Sequence, residues 1–558
     1  MAKNKPAWFI ISCLLVIAAA CSVVYANSVR GQFIWDDYHL VKDNVNIRDA
    51  RLLPNIFLED LGKGAGVRYS FYRPIQSLSY FFDRFVWGAE PQGYHVTNVI
   101  LHVLASWACF WLLYVLFGDI LLAAVPALLF AVHPVHTEAV AYISGRADPI
   151  AAIFMLSSLS LYILWTGRRN NAIYALSLAL ALVSLLSREN AIILPFLIML
   201  YHYVFRIKAD IKRVLPFAGF AVIYAVIRLT VLKHLISGVS CETSVLQRIP
   251  GAFAALAGYA RLLVLPFGLH MEYGRKIFGI TDPQVIAGIC LAAGIAYSLY
   301  IYRYNKVVVF SLLWFILTLL PTANIYPINA YMAEHWLYVP SIGFFLLAGW
   351  CLKACLGRRH LRVLGALLIT LIVLYYALLT IRQTGYWIDA LGFYERTLKY
   401  SPESWRVYNS MGVTYDERGM TDKAINALET AIRLNPRHNE AYSNPGAIYA
   451  KKGDLQKAID LLNRSLDLDD SYDMTYYNLG KLYTDTKQYP EAIGAYRKAI
   501  ECNPYNAAAH NNIAVLYLYY SGNPKQAAMH AETAGQLGHR VDPRFMSDLR
   551  SRNEAIAP

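Results

Sequence analysis

The sequence predicts an all-α protein in two parts, a polytopic membrane helix bundle of about eleven spans and a soluble helical repeat array. Three observations carry that expectation. Roughly the first 385 of 558 residues form a string of apolar segments. Hydrophobic residues make up 57% of the chain and the mean hydropathy is +0.35, as expected of a membrane protein. The remainder repeats itself every 34 residues. The expected division is a membrane domain over 1–385 with an outer loop at 28–92, a repeat array over 386–540, and a C-terminal tail over 541–558.

Charge supports the same division. The net charge is +13, which on its own would suggest a nucleic-acid partner. From Trp387 onward, however, 20 Lys and Arg face 21 Asp and Glu, so the repeat region is neutral. The excess lies among the apolar segments, 31 basic against 17 acidic residues, which is the distribution of membrane topology rather than of a nucleic-acid face. Cysteine carries no signal. Cys13, Cys21, Cys109, Cys290, Cys351 and Cys355 lie in or beside apolar segments, and only Cys241 and Cys502 lie outside. Their spacing suggests neither a disulfide framework nor a metal clip.

Lys3 and Lys5 precede the first apolar run, from about Pro6 to Tyr25, which is long enough to span a bilayer rather than to be cleaved. Further spans are expected to start near Tyr94, Ile120, Pro149, Ala172, Asn190, Val214, Val285, Val307, Trp336 and Val363. With the N-terminus in the cytoplasm, the inner loops hold Lys3, Lys5, Arg168, Arg169, Arg206, Lys208, Lys212, Arg213, Arg303, Lys306, Lys353, Arg358, Arg359 and Arg362. Only Asp119 and Asp210 oppose them. That bias obeys the positive-inside rule and requires the stretch 250–268 to be re-entrant or interfacial. An odd number of spans puts the repeat array outside, periplasmic in a bacterial inner membrane.

The array has a recognisable frame. Gly412, Gly446 and Gly480 keep the 34-residue step, as do Tyr415, Tyr449, Tyr483 and Tyr517, and Ala424, Ala458 and Ala492. Pro436 and Pro504 close repeats two periods apart. These types in these slots are the tetratricopeptide (TPR) pattern, in which Gly and Ala let paired helices pack closely. Ala390, Tyr394 and Pro402 fall at the slots of a preceding half repeat, so the array is expected to grow directly from the last span. Beyond Ser521 the frame slips by one residue, as in a capping repeat.

Candidate chemistry sits at the expected outer ends of spans. The outer loop opens with Trp35-Asp36-Asp37-Tyr38, where paired carboxylates can act as a base because a like-charged neighbour raises basicity. A third outer region carries His133, His136, Glu138, Arg146 and Asp148; the next carries Arg188 and Glu189, and another Glu334 and His335. Ionisable groups at span ends can converge on one outward cleft. His133 and His136 lack the order of a zinc-protease motif. His95, Asn98 and His102 share one face of the second span, where bundle packing is the first reading and contact with a lipid phosphate the second. Nothing demands a metal, although two Asp and two His could hold one.

Six strings taken together, FIWDDYHLV (33–41), YRPIQSLSYFF (72–82), GYHVTNVILHVL (93–104), LLFAVHPVHTEAVAYISGRAD (128–148), LLSRENAIILP (185–195) and MAEHWLYVPSIGF (332–344), resemble the TMTC family. These are the transmembrane and TPR-containing O-mannosyltransferases, with prokaryotic relatives. The resemblance implies a GT-C-like glycosyltransferase taking a sugar, mannose or another hexose, from a polyprenyl-phosphate carrier outside the cytosol. The acceptors would be Ser/Thr hydroxyls of a protein held by the TPR array. It departs from the family at Arg188, where Lys is common, and at His335, where Arg is common. Asp36 or Asp37 would take the acceptor proton, while Arg146, Arg188, His133, His136 and His335 would meet the donor phosphate. Glu138, Asp148, Glu189, Glu334, His95 and His102 complete the candidate set.

This topology predicts a labelling pattern. In a variant freed of native cysteines, a cysteine placed at Gln456 should react with a membrane-impermeant thiol reagent on intact cells, and one at Asn170 should not. The reverse pattern would overturn the assignment of sides.

Overall fold

The computed structural model describes residues 7–67, 69–232, 244–274, 276–324, 328, 330–357 and 359–554. Lys3, Lys5, Pro6, Cys241 and Arg358, named above, lie outside the described residues. Among the described residues the chain is helical and contains no strand. It divides into two compact units. One comprises Met1–Asp37, Ile56–Leu61 and Tyr69–Ser401, and the other Tyr38–Asn55, Gly62–Arg68 and Pro402–Pro558.

The first unit is the apolar bundle. Its helices are α1 (Ala7–Tyr25), part of α2 (Leu53–Leu58), α3 (Pro74–Trp87), α4 (Pro91–Phe117), α5 (Ile120–Val132), α6 (Thr137–Ala141), α7 (Ala147–Arg168) and α8 (Asn171–Ser187). They continue with α9 (Leu194–Phe205), α10 (Ile211–Val231), α11 (Val245–Val264), α12 (Pro283–Ile301), α13 (Lys306–Leu319), α14 (Ser341–Gly357), α15 (Arg362–Gly385) and α16 (Ala390–Tyr400). Among the described residues six stretches are long and apolar enough to cross a membrane: Ala7–Arg30, Pro91–Phe117, Ile143–Arg168, Ile211–Val231, Pro283–Ile301 and Arg362–Gly385. A seventh, Ile120–Val132 with Pro134–Ala141, is bent by 56°. Four shorter apolar helices, Asn171–Ser187, Glu189–Phe205, Lys306–Thr322 and Ser341–Leu356, coincide with the remaining expected spans.

Two local features add detail to the expectation. The span starting at Ile120 breaks after 13 residues because Pro134 has no N–H and forces His133 into an extended conformation (φ −76°, ψ 131°). Most of the stretch expected to be re-entrant or interfacial lies in one helix of 20 residues, α11, opened by a capping box between Ser244 and Gln247. It packs against α12, where a Cβ on Gly288 would lie 1.9 Å from the Phe253 carbonyl oxygen. Only glycine permits that approach. Helix α1 packs on α4, α5 and α15 and buries Ile17, Cys21, Val24 and Tyr25.

The second unit contains four antiparallel helix pairs: α17 (Trp405–Glu417) with α18 (Thr421–Leu434), α19 (Glu440–Lys452) with α20 (Leu455–Leu468), α21 (Asp473–Asp485) with α22 (Tyr489–Cys502), and α23 (Ala507–Tyr519) with α24 (Pro524–Gln536). The expected small-residue slots sit where the pairs touch. A Cβ on Gly412 would meet Leu428 at 2.5 Å, on Gly446 Leu462 at 2.9 Å, and on Gly480 Tyr496 at 2.7 Å. The expected tail is a further helix, α25 (Pro543–Glu554), whose Phe545 and Leu549 cover Ala527 and Ala531 of α24. Segments of the long loop also join this unit: Asn55 donates to Tyr505 Oη at 3.2 Å, and a Cβ on Gly66 would lie 2.0 Å from Asn503 Nδ2. The expected half repeat, α16, instead groups with the first unit, where Phe393 and Tyr394 lie against Trp35 and the Tyr400 ring stacks on His270.

Gly446→Val should therefore lower the thermal midpoint of unfolding, by about 2 kcal/mol of overpacking against Leu462. A midpoint equal to the parent's would show that α19 and α20 are not closely packed.

Candidate active site

The paired aspartates point into different surroundings. Trp35 holds a left-handed backbone (φ 52°), sparsely populated for a bulky residue, and the chain turns there. Asp37 becomes fully buried. Its Oδ1 accepts the Ser144 backbone N–H at 2.8 Å and the Ser144 hydroxyl at 2.6 Å, and its Oδ2 accepts the Ile34 N–H at 3.2 Å. Asp36 stays part-buried: Oδ1 accepts the Tyr69 hydroxyl at 2.8 Å, and its backbone N–H donates to Tyr142 Oη at 3.1 Å. One aspartate is thus buried against the loop at Ser144 and the other is oriented by two tyrosines.

A second cluster lies along α6, the start of α7 and the turn that follows α8. Glu138, in the first turn of α6, accepts both His335 Nδ1–H at 2.6 Å and the His335 backbone N–H at 3.0 Å. Arg188 pairs with Asp148. Arg73 forms a fork with Glu189, 2.9 Å from Nε to Oε2 and 2.5 Å from Nη2 to Oε1. Asp148 feels the charges of Arg188, His335, Arg73 and Glu138, so these groups share one field. Glu334 accepts the His270 N–H at 2.5 Å and the Tyr273 hydroxyl at 2.7 Å. Burial, and then the charge of Glu138, raise its carboxyl well above the ordinary range. Asp148, Arg188, Asn190, Thr318, His335 and Trp336 line a small cleft of about 30 Å³. Among the described residues, the buried Arg188 Nε has no hydrogen-bond partner there.

The two clusters are neighbours through the chain itself. Tyr142, which holds Asp36, is the C-cap of α6, and Glu138, which holds His335, opens the same helix. Four residues of helix rise about 6 Å. The strip 69–73 likewise begins at the Tyr69 contact with Asp36 and ends at the Arg73 contact with Glu189.

Against that geometry stand the comparisons with known proteins. Tetratricopeptide repeat models match residues 406–438, 438–504 and 495–535. Protein O-mannosyl-transferase F38B6.6 of Caenorhabditis elegans is 27% identical over 436 residues, covering 74% of this chain and 61% of that protein. Protein O-mannosyl-transferase TMTC3 of Mus musculus is 23% identical, covering 74% and 50%. Protein O-mannosyl-transferase TMTC1 of Mus musculus reaches 42% over 154 residues, 26% of this chain and 16% of that protein. The chain is similar to the TMTC proteins along most of its length. It spans half to three fifths of the length of these two longer-matching curated relatives. The crystal structure of MamA, 29% identical with a TM-score of 0.24, covers 28% of this chain and 91% of its own.

Within the chain the candidate residues separate. Glu138, Asp148, Arg188, Glu189, Glu334 and His335 come together. Arg146 does not join them: it is wholly buried, paired with Asp83 at 2.6 Å, donating to the Tyr94 carbonyl and lying over the Tyr80 ring. His133 and His136 sit at the α5 break with both ring nitrogens engaged. His133 bonds the Leu263 carbonyl and caps Val135, while His136 bonds the Phe130 carbonyl and Ser341. His102 bridges Tyr338 and the Ala131 carbonyl, Asn98 donates to the carbonyls of Val140 and Tyr142, and His95 is buried against Gly31. These contacts are those of bundle packing. Arg73, Tyr69 and Tyr142 escaped the sequence reading, although Arg73 lies in the string YRPIQSLSYFF. Among the described residues no group of three or more His, Cys, Asp or Glu side chains is placed to hold a metal ion.

Burial pushes the Asp37 carboxyl from 3.8 up to about 7, against the pull of the Ser144 and Ile34 donors. The folded state then binds more protons than the unfolded chain between those values, so stability falls as pH rises from about 4 through 7. Asp37→Asn should flatten this fall in unfolding measurements across that window. An unchanged slope would assign the titration to another group.

Proposed function

We propose that this protein transfers a sugar from a polyprenyl-phosphate carrier to Ser/Thr hydroxyls of a protein acceptor on the extracytoplasmic side of the membrane. The observation that carries this reading is the unpartnered, buried Arg188 Nε beside a small cleft whose His335 is held by Glu138 of α6, the helix capped by the Tyr142 that holds Asp36. The names of the relatives, protein O-mannosyl-transferases, supply the reaction class.

The acceptor hydroxyl oxygen attacks the anomeric carbon while the bond from that carbon to the carrier's phosphate oxygen breaks. Asp36 takes the hydroxyl proton, and Tyr69 and Tyr142 hold it in place. The departing polyprenyl phosphate keeps the bonding electron pair, and its negative charge meets Arg188 and His335 in a water-poor cleft where a fixed cation counts most. A guanidinium with a free Nε–H suits a phosphate oxygen. Asp148 and Glu138 hold these two groups in position, and Arg73 in turn holds Glu189. Displacement from the opposite face of the sugar inverts the anomeric configuration. Asp37 positions the turn and does not touch the reacting atoms.

Asp36→Asn should lower the rate of sugar transfer by roughly 2–4 orders of magnitude with donor binding retained. Arg188→Ala should chiefly weaken use of the lipid-linked donor. Measured with purified protein and a defined polyprenyl-phosphate sugar, wild-type rates in both variants would remove the base and the phosphate site from this cleft.

A further inference from the structure

The strip 69–73 carries Tyr69, which holds Asp36, and Arg73, which holds Glu189. It is itself held from two elements. The Tyr69 and Phe71 N–H groups donate to Asp60 Oδ1 and Oδ2 at 3.0 and 3.1 Å, and the Leu61 N–H donates to the Phe71 carbonyl at 3.0 Å. The other bonds come from Tyr224 and Arg228, four residues apart and so on one face of α10. The Tyr224 hydroxyl donates to the Tyr72 carbonyl at 3.1 Å, and Arg228 Nη2 donates to the Ser70 carbonyl at 3.0 Å. Ser70 itself has a left-handed backbone (φ 58°). A residue with a Cβ keeps that conformation only where its surroundings fix it.

One peptide group in this strip is gripped at both ends by charge. The Ser70 carbonyl and the Phe71 N–H belong to the same group, and in a trans peptide they point in opposite directions. A guanidinium donates to the oxygen and a carboxylate accepts from the N–H, so Arg228 and Asp60 face each other across it. Such charge-assisted bonds are roughly twice as strong as neutral ones, and each polarises the peptide group in the sense that strengthens the other. This arrangement accounts for Arg228. It is buried in the last turn of a stretch apolar enough to cross a membrane, and its Nε has no partner among the described residues. A cation so placed is costly and calls for a functional reason. The negative charge it works against is Asp60, reached through the backbone of the strip.

We propose that Arg228 and Asp60 are positioning residues for sugar transfer, a pair of opposite charges that fixes the Ser70–Phe71 peptide group and so aims the Tyr69 hydroxyl at Asp36. Neither touches the reacting atoms. Their role in transfer rests on the function proposed above, in which Asp36 takes the acceptor proton; the clamp itself rests on the hydrogen bonds.

The test uses the full chain in nanodiscs, with polyprenyl-phosphate mannose as donor and an unstructured Ser/Thr-containing peptide as acceptor. Arg228→Met keeps the apolar stem and removes the charge, and Asp60→Asn keeps the shape. Each should lower kcat roughly 10-fold, the usual order for a small misplacement of a reacting group. Arg228→Lys, which keeps a cationic donor, should recover most of that loss. Combined with Tyr69→Phe, neither substitution should lower kcat further, because the clamp acts only through that hydroxyl. Losses that multiply with that of Tyr69→Phe would overturn the positioning role. Hydrogen exchange reads the clamp without any activity: the Phe71 amide should exchange about 10-fold faster or more in Arg228→Met, whose side chain is not its acceptor. Unchanged exchange would overturn the clamp. Asp36→Asn separates the two readings. Transfer at the wild-type rate in that variant would strike the catalytic reading and the positioning role together, whereas loss of rate there with multiplying Tyr69 and Arg228 effects would strike the positioning role alone.

Discussion

A fully buried carboxyl must find donors or lose its charge, and Asp37 finds three, two of them on Ser144. That contact joins residues 107 positions apart. The loop 142–146 depends on it: Tyr142 orients Asp36, Ser144 bonds Asp37, and Arg146 runs into the core to Asp83. Gly145 completes the turn, since a Cβ there would lie 2.5 Å from the Glu138 carbonyl oxygen. The same short helix, α6, thereby holds the Asp36 contact at one end and the His335 contact at the other.

The second cluster is nearly balanced in charge. Arg73, Arg188 and His335 each lean on one carboxylate, Glu189, Asp148 and Glu138 respectively. Such pairing makes buried cations tolerable, because a lone guanidinium in an apolar bundle would cost several kcal/mol. It also leaves a specific deficit. Arg188 meets Asp148 through Nη1, and its buried Nε–H has no partner among the described residues.

The membrane helices were legible because apolar runs near the length of a bilayer are a local signal, and the TPR pairs because a 34-residue period repeats it. The short ionisable strings showed which residues to consider. They did not show which would converge, because that depends on contacts distant in sequence. His133 and His136 read like site histidines, yet Pro134 breaks α5 there and both rings satisfy backbone groups at the break. Arg146 reads like a phosphate ligand, yet Asp83, 63 residues earlier, claims it. Arg73 gave no sign of its role because its partner Glu189 is 116 residues away. Residues 390–402 fit the repeat frame, but Trp35 and His270 draw α16 into the bundle.

The long loop that follows Asp37 has a consequence for the order in which the molecule is assembled. Asn55 and Tyr505 are 450 residues apart, and ribosomes add about 5–20 residues per second. Roughly 20 to 90 s therefore separate the synthesis of the loop from that of its partner. Through that interval the bundle's helices can pack, while residues 38–55 and 62–67 lack their repeat-array partners Tyr505 and Asn503. Only after the last repeats emerge does the segment between Asp37 and Tyr69 gain its final anchor. The long loop is thus completed by the end of the chain, and a ribosome that stops early leaves residues 38–55 without their Tyr505 contact.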